Sequence, residues 1–144
     1  MTQVYFSEAR HADDVLRLAL GAAQLPTDDL GGLDQMFFSL SDDEGLIGFI
    51  GLEGNDADRL LRSLVVLPTR RGKGYGRMLV ERLEGVADGA VDRLHLLTSG
   101  SGEFFRRLGY ADADRDAAPA FIAATAQFTS LCGPRATYLV KDLG

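Results

Sequence analysis

The stretch from Leu64 to Gly76, Leu-Val-Val-Leu-Pro-Thr-Arg-Arg-Gly-Lys-Gly-Tyr-Gly, constrains this chain more than any other. An apolar run ends at Pro68, passes three cationic side chains and three alternating glycines, and opens into an amphipathic pattern. That order predicts a strand, a turn and a helix. Glycines at 72, 74 and 76 carry no Cβ and accept positive φ, so several consecutive backbone N–H groups can converge on one point. The first turn of the helix adds unpaired N–H groups and the positive end of its dipole, while Arg71 and Lys73 add full charges. Such a loop suits a phosphate or pyrophosphate.

Spacing narrows the ligand. A Walker loop needs a Lys-Ser or Lys-Thr pair after its last glycine, and here Gly74 follows Lys73. A dinucleotide fingerprint reads G-x-G-x-x-G with an acid about 20 residues on. Here the glycines run G-x-G-x-G, and the next strand, Leu94 to Thr98, ends without an acid.

The pattern that remains, Val66-x-Pro68-x-x-Arg71-x-x-Gly74-x-Gly76, closely resembles the acetyl-coenzyme A motif of the GNAT superfamily of N-acetyltransferases. Downstream, Glu103-Phe104-Phe105-Arg106-Arg107-Leu108-Gly109-Tyr110 resembles that family's second signature, which ends in Gly-Phe or Gly-Tyr. Two signatures in the right order carry far more weight than a glycine loop alone. A narrower likeness joins Leu61 to Val66, Leu96-Leu97-Thr98, the Phe104-Phe105 pair, Asp114-Arg115 with Pro119, and Leu131-Cys132. Together these look like the arsenic-resistance type of small GNAT enzyme, with the N-acetylglutamate synthase catalytic domain as a neighbour. The tail, Cys132-Gly133-Pro134-Arg135, departs from that subgroup's usual Cys-Pro.

Length and composition are consistent with this. The 144 residues suffice for one domain with a real core, and 46% of them are hydrophobic without any run long enough for a membrane span. Met1 to Arg10 has no secretory pattern, and the single cysteine, Cys132, cannot form an internal disulfide; both fit a cytoplasmic protein. The net charge of −6 is uneven. Residues 1–58 carry 12 acids and 2 bases, and residues 59–144 carry 9 acids and 13 bases. Arg70, Arg71, Lys73 and Arg77 are therefore expected to form a positive site on an acidic protein, suited to a polyphosphate ligand and not to nucleic acid.

In chain order, Gln3 to Phe6 reads as a strand, His11 to Ala23 as an amphipathic helix and Leu30 to Met36 as a second short helix. Phe37 to Ser41 and Leu46 to Glu53 flank the acidic turn 42–45 as a hairpin, and Leu60 to Val66 completes three sequential antiparallel strands. A helix from Tyr75 to about Gly89 precedes a parallel strand at Leu94 to Thr98. Ser101 is the expected N-cap of the next helix and Gly109 its stop; Pro119 to Phe128 reads as helix and Thr137 to Lys141 as strand. The resemblance implies one α/β GNAT domain over 1–144. Its mixed, mostly antiparallel sheet would splay between two central parallel strands, with helices on both faces.

The resemblance also implies roles. Acetyl-CoA is the cosubstrate, no metal is needed, and Arg71, Gly72, Lys73, Gly74, Tyr75 and Gly76 hold its pyrophosphate. The backbone at Leu64, Val65 and Val66 lies along pantetheine, and the Leu64 N–H polarises the thioester carbonyl. Phe105 stands beside the cofactor where many members carry a tyrosine that protonates the departing thiolate; phenylalanine has no proton to give. Gln24 to Met36 would shape acceptor choice.

For the base that deprotonates the amine, Glu53 at a strand end and His95 in mid-strand are the candidates. Arg62 and Ser63 are candidates for contact with substrate. The subgroup implies a small amino-acid-like acceptor; a protein N-terminus or lysine, or an acyl-CoA-binding module without turnover, are the rivals. Homodimers are common in the family.

Overall fold

The computed structural model describes residues 3–9, 14–25, 27–30, 34–100, 102–131 and 136–144. Strands β1 (Tyr5–Ala9), β2 (Gln35–Asp42), β3 (Gly45–Glu53), β4 (Asp58–Val66), β5 (Arg93–Thr98), β6 (Ala111–Asp112) and β7 (Thr137–Asp142) form one sheet in the order β1-β2-β3-β4-β5-β7-β6. Every neighbouring pair is antiparallel except β4 and β5. The parallel pair needs a crossover, and α2 (Tyr75–Ala87) supplies it.

On one face α2 buries Leu79, Val80, Leu83 and Ala87 against Ile47, Ile50, Leu61, Leu94 and Leu96, and α3 (Glu103–Arg107) adds Phe105. Each fully buried Leu or Val contributes about 1.5–3 kcal/mol. On the other face α1 (Asp14–Ala22) sets Leu16, Ala19 and Leu20 against Phe37, Phe49 and Val65. The short α4 (Ala120–Ala123) buries Ile122. Among the described residues no helix is long and apolar enough to cross a membrane.

The 42–45 hairpin and the strand–loop–helix unit appear where the sequence places them. Elsewhere the boundaries differ. The first strand lies at Tyr5–Ala9, further along than Gln3 to Phe6, because it runs against Phe37 to Ser41 of β2. Gln35 and Met36, expected in a helix, are the first residues of β2 and pair with Glu53 and Leu52; cross-strand packing overrides the local pattern there. Leu30 lies in a turn closed by its N–H on the Thr27 carbonyl, and 31–33 fall outside the described residues.

Gly102, with φ +84°, holds the cap position of α3 without a side-chain bond, while Ser101 falls outside the described residues. Gly109, with φ +98°, stops that helix by donating its N–H to the Arg106 carbonyl. The expected helix at Pro119 to Phe128 breaks into α4 and a π-type turn at Gln127–Leu131.

Two irregularities shape the centre of the sheet. Phe49 pairs with Val65 but Gly51 pairs with Arg62, so β4 carries an extra residue between them. Ser63 absorbs that bulge at φ +60°, a backbone region costly for a side chain with a Cβ. Beyond it, β4 parts from β5. Their register holds only at Asp58↔Arg93, Arg59↔Leu94 and Leu60↔His95. The rest of both strands diverges into a gap, the splay expected from the resemblance.

Candidate active site

The glycine loop sits at the open end of this gap. Gly72 and Gly74 both take left-handed backbone, φ +80° and +81°, so the chain turns twice before α2 begins at Tyr75. Gly74 is the N-cap and offers no side-chain cap; the first bond into the helix runs from the Met78 N–H to the Gly74 carbonyl. Among the described residues, the backbone N–H groups of residues 74–77 donate no hydrogen bond to the protein. Unpaired N–H groups at a helix N-terminus form a ready site for an anion.

The four expected cations do not act alike. Arg70 is buried and grips Asp42 through two bonds of 2.7 and 2.8 Å, which ties the loop to the β2–β3 turn. Arg77 pairs with Glu81 on the helix surface at 2.9 Å. Arg71 and Lys73 remain as exposed positive charges, and Arg71 Nε donates to the Val66 carbonyl at 3.1 Å. The local charge is thus two cations rather than four.

The hydrogen bond from Arg70 holds the Asp42 carboxyl below its ordinary value of 3.8. A depressed carboxyl stabilises the fold fully above its unfolded value and loses that contribution as pH falls through the folded one. Asp42→Asn is therefore expected to weaken CoA binding and to lower the melting temperature at pH 6. Between pH 4 and 3 the variant should lose less melting temperature than the parent. Parallel slopes in a calorimetric series would remove Asp42 as the anchor.

On the α1 face of β3 and β4, the structure brings Glu53, Arg62 and Ser63 together and adds Asp29. Arg62, whose side chain is 0% exposed, lies over the Phe37 ring at 5.7 Å. A Cβ on Gly51 would stand 2.9 Å from that ring and 3.1 Å from Arg62 Cγ, so glycine makes the seat. Arg62 donates to Asp29 Oδ2 and Oδ1 at 2.5 and 2.7 Å, to Glu53 Oε1 at 2.7 Å and to Ser63 Oγ at 3.1 Å. Burial works to lower the arginine's pKa, but the bonds and charges of Asp29 and Glu53 outweigh it and raise it. The guanidinium is a structural hub, closed to any ligand carboxylate that does not displace Asp29.

His95 is not part of that cluster. It shares a register row with Glu53 through Leu60, two strands or about 10 Å away. Its ring, 1% exposed, is held at both nitrogens: Nε2 lies 2.7 Å from Asp58 Oδ1 and Nδ1 lies 2.7 Å from Tyr138 Oη. Burial pushes Asp58 up, yet the bonds from His95 and Arg93 hold its carboxyl below the ordinary value. Burial also raises the Tyr138 phenol. His95 and Tyr138 line a cleft of about 350 Å³ together with Arg93, Pro119 and Asp142.

Leu64 and Val66 turn their side chains into the α2 core, which leaves the backbone as their only chemical asset. Phe105 is a core residue, edge-on to Phe104 at 5.0 Å and to Tyr110 at 5.8 Å. The Tyr110 hydroxyl donates to Glu84 at 2.9 Å and that of Tyr138 meets His95, so neither stands in the place of the missing tyrosine. Asp29, Asp42, Asp58 and Tyr138 were not singled out from sequence. The acids of 42–44 were visible as turn residues, but nothing local names the distant partners of these four residues.

The acetyltransferase (GNAT) domain family model matches residues 34–112, more than half of the chain. The uncharacterized N-acetyltransferase CT2212 of Chlorobaculum tepidum is 43% identical over 60 residues, which cover 41% of this chain and 38% of that protein. N-acetylglutamate synthase from Neisseria gonorrhoeae, solved with coenzyme A and N-acetyl-glutamate, superposes with a TM-score of 0.80 at 20% identity. That match covers 100% of this chain and 36% of the synthase. Rv2747 from Mycobacterium tuberculosis, solved in complex with CoA, gives 0.75 at 19% identity over 96% of this chain and 98% of its own. The chain thus spans well under half of the curated relative and of the synthase, and nearly all of the mycobacterial protein. Glycine loop, bulged β4, splayed parallel pair and family model agree: the chain belongs to the GNAT acetyltransferase family.

Proposed function

We propose that this domain transfers an acetyl group from acetyl-CoA to the primary amine of a small amino-acid-like molecule, by direct attack through a tetrahedral intermediate. The observation that carries the cosubstrate is the row of unpaired N–H groups at 74–77, with Arg71 and Lys73 beside it. Arg71, Gly72, Lys73, Gly74, Tyr75 and Gly76 would hold the pyrophosphate. The backbone of Leu64, Val65 and Val66, where it is not paired with β3, would follow the pantetheine arm, with the Val66 carbonyl shared with or released by Arg71. Phe105 would pack beside that arm.

The acetyl thioester supplies the electrophile. An ammonium is not a nucleophile, so Glu53 takes its proton, directly or through water. The Leu64 N–H meets the oxygen on which negative charge develops. His95, held at both nitrogens by Tyr138 and Asp58, is a positioned core histidine in this reading and not the first acceptor. Water protonates the departing thiolate, since Phe105 has no proton to give. Arg62 and Ser63 form the floor beneath the acceptor, and an acceptor carboxylate reaches Arg62 only in exchange for Asp29. The amino-acid class rests on the motif likeness.

Thiol release from acetyl-CoA across glutamate, phosphinothricin, arsenic-containing amino acids, polyamines and basic peptides tests the reading. Turnover confined to the amino-acid-like amines is expected. Turnover on peptides alone would move the acceptor to a protein, and tight CoA binding with silence on every amine would leave a binding module.

A further inference from the structure

The cluster around Arg62 is asymmetric. Asp29 commits both carboxylate oxygens to the guanidinium, whereas Glu53 commits only Oε1. Among the described residues Glu53 Oε2 has no protein partner, and no side-chain oxygen lacking a partner is closed to solvent. One oxygen of an anchored carboxylate is therefore left open, one pleat from the bulge at Ser63. One cation stands between two anions, so the cluster keeps a single negative charge.

An arginine facing a lone carboxylate favours a closed two-point fork, which would occupy both Glu53 oxygens and depress its basicity. Here that fork is taken. Asp29 spans NH1 and NH2, Ser63 Oγ takes Nε, and Glu53 is left with one hydrogen of NH1. The other charged groups near Glu53 are engaged elsewhere: Asp34 accepts from the Asn55 side chain, and Arg59 Nε donates to the Asp56 carbonyl. Gln35, opposite Glu53 on β2, donates from Nε2 to the Asp29 carbonyl and so holds the 27–30 turn against the cluster.

We propose that Asp29 is a positioning residue for Glu53. By occupying the guanidinium fork it leaves Glu53 Oε2 open, to receive the acceptor's ammonium and take its proton. The part concerning the amine rests on the proposed acetyl transfer; the control of Glu53 by Asp29 does not. The step balances simply. One N–H bond of the ammonium breaks, one O–H bond forms on Glu53, and the proton passes to water once the product has left.

The test is a pH titration of the Glu53 side-chain carboxyl by carbon NMR in the parent protein, Asp29→Asn and Asp29→Glu, which needs no acceptor. In Asp29→Asn the guanidinium turns wholly to Glu53, and the midpoint is expected to fall by about one pH unit. Asp29→Glu should restore it. With glutamate as probe, the acid limb of kcat/KM should fall with the midpoint while CoA affinity stays unchanged. An unmoved midpoint overturns the proposal. If Asp29→Asn does not fold, Asp29→Ser poses the same question with a neutral hydroxyl. Full turnover in Glu53→Gln would remove Glu53 as base, and with it the amine half, while a shifted midpoint still upheld the control by Asp29.

Discussion

Valine at both 74 and 76 is expected to reduce CoA affinity roughly 100-fold or more, the loss of two charge-assisted bonds at about 1.5–3 kcal/mol each. Gly74 sits at φ +81°, where a β-branched side chain is strained and the N–H groups around it would turn away from a common point. A Cβ on Gly76 would come within 3.2 Å of the Phe104 ring. Phe104 is 42% exposed and can swing outward, so the fold should survive. Gly89→Val is the control. That glycine has φ +83° at the far end of α2, with nothing within 4 Å of an added Cβ, and shares the strain without the loop. Calorimetric titration with CoA should separate the two; unchanged affinity in the double variant would remove 71–76 from the cofactor site.

The second large effect is expected at Arg62. Arg62→Ala leaves Asp29 and Glu53 facing each other without their cation, in a site almost closed to water. Breaking a buried pair in this way costs about 3–5 kcal/mol, or a fall in melting temperature on the order of 10 °C for a domain of this size. Neutralising both acids in the same background, Asp29→Asn with Glu53→Gln, should recover part of the loss. Urea unfolding followed by circular dichroism measures both. A cost under about 1 kcal/mol would mean that the cluster is solvated and that Arg62 is no hub.

How much of this was legible follows from the range of each interaction. The β2–β3 hairpin and the run from β4 through the loop into α2 are written in adjacent residues, and they formed as expected. The gap in the sheet was legible only through the family likeness, because a serine at φ +60° leaves no mark that distinguishes it from any other strand serine. The long-range ion pairs and buried hydrogen bonds were not legible at all. Asp29 and Arg62 lie 33 residues apart, Asp42 and Arg70 28, and His95 and Tyr138 43. Arg62 in particular reads from sequence as a candidate substrate contact, whereas the meeting of β3, β4 and the 27–30 turn buries it. Gln35 and Met36 leave the helix expected at Leu30 to Met36 for the same reason at shorter range, since β3 recruits them into its own ladder.

The parting of β4 from β5 also governs how this sheet meets other chains. Unpaired strand backbone is a template for aggregation, and most sheets carry it at their rims. Here the outer strands are short, five residues in β1 and two in β6, and Glu8 places a charge on the longer of them. Among the described residues, further unpaired backbone runs down the middle of the molecule where β4 and β5 part, between α2 on one face and α1 on the other. A protein built this way keeps its adhesive surface indoors, where a thin ligand can use it.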